Sequence, residues 1–145
     1  MEITLAFLAD AANAARDGKL NALGIFDELI ASSFPTMHPE MQLVFQWMAS
    51  GSETGDDKRI TISLMDEDAN ERGLIEASLT VPESARPGLP VKGQEIVPVK
   101  MMTFEKPGIY AFVIAVDDSR VEVPLHLRKI DAEGNSGNWG VPGDS

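Results

Sequence analysis

Cysteine is absent from all 145 residues, which excludes a disulfide framework, a thiol nucleophile and every thiolate-bound metal. Basic residues are scarce: 12 Lys and Arg stand against 23 Asp and Glu, a formal net charge of −11. Such a balance repels phosphate backbones and anionic lipid surfaces, so neither nucleic acid nor a membrane is expected as a partner. No segment approaches the ~20 consecutive apolar residues that a membrane helix needs. MEITLAFLADAANA, residues 1–14, has an apolar run followed by alanines, yet Glu2 replaces the positive region of a secretory signal and Asp10 interrupts the run. A cytoplasmic protein is expected.

Catalytic signatures are missing too. Ser32, Ser33, Ser50, Ser52 and Ser63 stand in no G-x-S-x-G elbow, and GSETG (51–55) lacks the lysine and spacing of a phosphate loop. His38 and His126 match no helical metal motif, and a pair of carboxylates chosen freely from so many acids is no prediction. The chain is therefore not expected to be an enzyme.

What remains is a strong strand pattern. Its length fits one domain that buries roughly two-thirds of its unfolded surface. The stretch from Gly18 to Pro39, GKLNALGIFDELIASSFPTMHP, is the organising element. Its nearly continuous hydrophobicity reads as a strand buried on both faces, with Gly24 marking a bulge or a close backbone approach. Ile3, Leu5 and Phe7 alternate with polar or small residues, ADAANAAR (9–16) reads as strand end and loop, and Asp17-Gly18 reverses the chain into a first hairpin. Met41, Leu43, Phe45 and Trp47 alternate in turn, and with Ile60, Ile62 and Leu64 they predict a second hairpin. Leu74–Val81 is a further strand. Pro82–Gln94, rich in proline, reads as a long crossover between sheets. The next strand, Glu95–Thr103, contains Pro98 and belongs at an edge or bulge. Ile109–Val116 is apolar on both faces and reads as a central strand, and Val121, Val123, Leu125 and Leu127 line its antiparallel partner.

The predicted fold is all-β: an antiparallel two-sheet β-sandwich of Ig-like or jelly-roll-like Greek-key type, with about eight strands. Residues 1–131 form the sandwich domain, and 132–145 form a flexible C-terminal tail whose composition buries too little to order itself.

LAD (8–10), GKLNxxGIFD (18–27), FPxxHPxMxLV (34–44), FxxPGxYxFxIxVD (104–117) and Pro124-Leu125 resemble a family of small, mostly bacterial proteins of unknown function. The resemblance spans most of the chain. It implies a shared fold, a compact β-sandwich, and carries no catalytic residue with it.

Three groups of residues are candidates for function. Asp66 and Asp68 lie in one acidic turn and Asp117 and Asp118 in another; gathered at one end of a sandwich they would hold calcium. Solvated carboxylates making local backbone bonds are the competing reading. Asp10, Asn13, Asn21 and Asp27 place polar groups in an apolar half, either capping hairpin ends or lining a small polar pocket. Asp27, His38 and Trp139 are candidate binding residues, Trp139 because aromatics are enriched at interfaces. The methionines either fill an irregular core or line an adaptable face. The leading functional expectation is a non-enzymatic protein-binding or assembly module that needs no cofactor and takes a protein partner or self-associates through a sheet edge or an end loop. The alternative is a divalent-cation, calcium-dependent ligand-binding sandwich built on the acidic turns.

Overall fold

β-Branched and aromatic residues spaced two apart favour extended chain, and the turn residues between them decide where it reverses. The structure, a computed structural model, describes residues 1–131. Nine strands run in order: β1 (Glu2–Ala14), β2 (Leu20–Phe26), β3 (Glu28–Ala31), β4 (Thr36–Ala49), β5 (Asp57–Met65), β6 (Glu71–Thr80), β7 (Val91–Phe104), β8 (Gly108–Val116) and β9 (Ser119–Lys129). One 3-10 turn, Gly51–Glu53, precedes β5, and the described residues contain no α-helix. The first sheet has the order β2-β1-β4-β7 and the second β3-β9-β8-β5-β6. This is the predicted two-sheet sandwich. It has one strand more than expected, and β3 pairs parallel with β9, so the second sheet is mixed.

The core is the space between the sheets. Leu8, Leu43, Phe45, Trp47, Phe104, Phe112, Ile114, Leu125 and Leu127 are buried there, each of the larger groups contributing about 1.5–3 kcal/mol on transfer from water. Among the described residues no polar or charged side chain is fully buried. β8 is the central strand predicted, flanked by β5 and β9. Tyr110 Oη donates to the carbonyl of Lys106, 2.7 Å away and four residues upstream. A tyrosine bonding back in this way also braces the corners of other Greek-key sandwiches.

Several local expectations are corrected. β1 does not end near Leu8 but runs through Ala14, because alanines are tolerated in a strand paired on one side. An extra residue at Thr4 shifts the register between Ile3–Trp47 and Leu5–Gln46. That bulge turns Leu5 out of the core and leaves Leu8 in it. The second hairpin does not form: β4 pairs with β7 and β5 with β8, in different sheets. The crossover after β6 is shorter than expected, because β7 begins at Val91. The organising stretch is not one doubly buried strand. Asp27 breaks it into β2, an edge strand of the first sheet, and β3, an edge strand of the second. Pro98 falls on edge strand β7, as its missing N–H requires. At Met101, φ +57°, the β4–β7 ladder keeps its register while changing the face its side chains present: Val99 and Met102 are both buried.

Candidate functional site

Beyond Ala9, β1 pairs only with β2, and this two-stranded arm turns back over the outer face of the first sheet, bringing its tip at Gly18 beside Gln46 and Gln94. Arg16-Asp17-Gly18 closes it as a three-residue loop: Gly18 N donates to Ala15 O (2.9 Å), Ala15 N to Lys19 O (2.8 Å), and Gly18 takes φ +85°. A type I turn followed by a left-handed glycine gives this geometry, so the reversal read at Asp17-Gly18 is correct. Lys19 N also donates to Asp17 Oδ1 (3.1 Å). The tip is tied down, because Gln94 Nε2 of β7 donates to Gly18 O (3.1 Å). Ala9 and Val44, which do not face the core, are nonetheless fully buried.

Register decides which backbone groups of β2 stay open. Ala15 and Lys19 form a hydrogen-bonded pair, and such pairs alternate along an antiparallel ladder. Asn21 and Leu23 therefore turn their N–H and C=O groups toward β1, and Leu20 and Ala22 turn theirs to the open edge. Side chains follow the same alternation: Leu20 and Ala22 are half-buried, whereas Leu23 is 73% and Ile25 63% exposed.

Among the described residues the two sheets have four edges, and three are protected in the ways that discourage strand pairing. β7 carries Lys92, Glu95, Pro98 and Lys100; β6 carries Glu71, Arg72 and Glu76; β3 is four residues long and carries Glu28. β2, LNALGIF, has neither a charge nor a proline. Its flanks do carry charge, Lys19 before it and Asp27 after it.

At the base of the arm Ile25, Phe26 and Asp27 meet Phe7, Val123 and Pro124 around a depression of about 300 Å3. The Phe26 ring lies 6.3 Å from that of His38. Of the candidates from the sequence, His38 thus meets the Phe26 ring, and Asp27 follows Phe26 at the rim of the depression. Asp27 O accepts from His126 N (2.7 Å), and Glu28 Oε1 takes Arg128 Nε (2.7 Å) with His126 Nδ1 at 3.9 Å from Oε2, which docks β3 on β9. Trp139 lies outside the described residues. The polar pair Asn13 and Asn21 bond each other across the arm, Nδ2 to Oδ1 at 3.0 Å, in the open and not in a pocket. Of the methionines, Met41 and Met102 fill the core while Met37 and Met101 are exposed. Two larger depressions, about 630 and 580 Å3, adjoin at Met48 and Lys92, between the crossover loop and the arm tip.

The acidic turns do not converge. Asp66 and Asp68 follow the end of β5 that pairs with the start of β8, whereas Asp117 and Asp118 follow the end of β8 that pairs with the start of β5. Antiparallel pairing puts the two turns at opposite ends of the sheet. Asp66 is satisfied within its own turn, and Asp117 by cations from distant parts of the chain. Asp66 Oδ1 accepts from Asp68 N (2.9 Å) and Asn70 N (3.0 Å), and the Asn70 bonds, first the backbone one, hold its carboxyl below the usual range. Asp117 accepts from Lys58 Nζ (2.9 Å), which lowers its pKa, and meets the Met1 ammonium at 3.2 Å. Glu53, bound by the same ammonium, by Lys58 (2.9 Å) and by Ser50 N (2.7 Å), is pulled down to about 2. Among the described residues no three His, Asp or Glu side chains are grouped to hold a metal.

The chain matches the family of unknown function DUF6941 over residues 4–128. It belongs to that family. The matched span contains all of the arm and ends inside β9, short of Trp139. No curated protein matches the chain, and the family match carries no activity with it. No helix among the described residues is long and apolar enough to cross a membrane.

What the sequence reading missed is Leu23 and Ile25, which it buried. The signal available was the absence of charge between Lys19 and Asp27, which reads equally as a doubly buried strand and as an edge kept open.

Proposed function

We propose that this protein is a non-enzymatic, cytoplasmic binding or assembly module that engages another protein through the β1–β2 arm. One observation carries the reading: among the described residues β2 is the one edge of the four without charge or proline, and it presents Leu23 and Ile25 to solvent. An unprotected edge offers main-chain donors and acceptors for strand addition, and alternate side chains supply specificity. The depression at Phe26, Asp27 and Pro124 adjoins this edge and would receive a side chain of the incoming strand.

The test compares proteins retained by the immobilised chain with those retained by the double variant Leu23→Lys, Ile25→Lys. Both positions are exposed, so the variant keeps its melting temperature within the small range of surface changes. Loss of the retained set supports the reading. Retention of the same set by a folded variant rejects it.

A further inference from the structure

Resting on the reading of the arm as a binding surface, we propose that its occupant is a second copy of the chain, β2 pairing antiparallel with β2 about a two-fold axis at Leu23. The flanking charges select this partner and this register. Lys19 and Asp27 lie four positions on either side of Leu23, so each copy's Lys19 falls opposite the other's Asp27, and both ends of the joined strand carry opposite charges. The same register sets Ala22 against Gly24, the two smallest residues of β2, and Leu20 against Phe26. It sets the exposed Leu23 against itself with Asn21 on the same face, as a two-fold perpendicular to the sheet demands.

Backbone polarity agrees. Because Leu23 turns its N–H and C=O toward β1, it would meet its counterpart as a non-hydrogen-bonded pair, with Cα atoms about 4.5 Å apart. The two arms would then join into one four-stranded ribbon. A formal charge of −11 opposes association of identical copies. That repulsion is screened beyond about 8 Å at physiological salt, and an uncharged strand is the contact at which it costs least.

The chain has no cysteine, so Leu23→Cys introduces a single thiol, and a pair at that Cα separation lies within disulfide range. The experiment measures the oligomeric state by sedimentation, and cross-linking of Leu23→Cys under mild oxidation, with Ile109→Cys, exposed on the second sheet, as control. Expected are a concentration-dependent dimer and cross-linking about tenfold faster at position 23 than at 109. Asp27→Lys should weaken the dimer about threefold or more, since two exposed ion pairs are reversed, and Lys19→Asp with Asp27→Lys should restore it. A monomer at the highest attainable concentration overturns self-pairing, as does equal cross-linking at both positions or failure of the charge swap to rescue. If the chain is monomeric yet Leu23→Lys, Ile25→Lys still abolishes capture of another protein, self-pairing fails while the arm remains the binding surface. If neither self-association nor capture responds to that variant, both fail.

Discussion

Gly24 faces Asp10 across the β1–β2 ladder so closely that a Cβ at position 24 would stand 2.4 Å from Asp10 Oδ2. The contact falls where the arm leaves the body of the sheet, and Gly24 takes φ +69° there. A left-handed conformation costs an L-residue roughly 1–2 kcal/mol. The steric part of the penalty sits on a carboxylate that can swing away.

Gly24→Ala is therefore expected to destabilise by about 1–2 kcal/mol from the backbone term, plus a steric increment. An Asp10→Ala background removes the Oδ2 and Cγ contacts and keeps Asp10 Cβ, 3.1 Å from the new methyl, so the steric increment should shrink there without vanishing. A double-mutant cycle in urea measures the difference, which is absent if the contact is not made.

A second close approach anchors the other side of the sheet. A Cβ on Gly93 would lie 2.2 Å from Cζ2 of the Trp47 ring, and that ring is buried and paired with Gly93 across β4 and β7. Gly93→Ala should cost about 1–3 kcal/mol, the range for overpacking a filled core. In a Trp139→Phe background, Trp47 emission should shift to the red as the ring is displaced. An unchanged urea midpoint would show that the ring can move freely.

The acid response follows from Glu53 and Asp117. Both carboxyls are held below their ordinary values, Glu53 to about 2, the Met1 ammonium and Lys58 being the main donors. A depressed carboxyl contributes stability above its unfolded value and loses it as the pH falls. The loss should thus run from about pH 4.5 toward 2. Lys58, its own pKa raised by Asp117 and then Glu53, stays charged through this window. Lys58→Met should lower the urea midpoint at pH 7, change it less at pH 2, and flatten the profile between. An equal loss at both pH values would contradict the ion-pair account.

Because the acidic turns stand at opposite ends of the second sheet, added calcium should leave the melting temperature unchanged. A filled site at 100 times its dissociation constant would add about 2.7 kcal/mol, well within detection. Asp66→Ala should instead lower the melting temperature without calcium, since Asp66 holds the backbone of Asp68 and Asn70.

Elements with clean alternation were legible in the sequence. β8 and β9, the Asp17-Gly18 reversal, the edge placement of Pro98 and the sandwich itself follow from side-chain period and turn chemistry. Pairing was less legible, because strand partners depend on contacts far apart in the chain. Trp47 and Ile60 look like the two arms of a hairpin, yet β4 and β5 enter different sheets across the Gly51–Glu53 turn. Position-specific flips hid the rest. Thr4 and Met101 each shift which residues face the core, and neither residue type announces a bulge or a left-handed backbone. As for the site, Asp27 was singled out for its polarity among apolar neighbours and His38 as one of two histidines. Leu23 and Ile25 were not, because an apolar residue in an uncharged strand carries no mark of which face meets water.

Ala22→Pro offers the most direct measurement of the account. The Ala22 N–H points to the open edge, so proline removes a donor for an incoming strand without removing a β1–β2 bond. The measurement is what the immobilised variant retains, further copies of the chain included, compared with wild type at matched melting temperature. Loss of binding by the folded variant is the predicted result; undiminished binding would contradict the claim that the chain recognises its partner along β2.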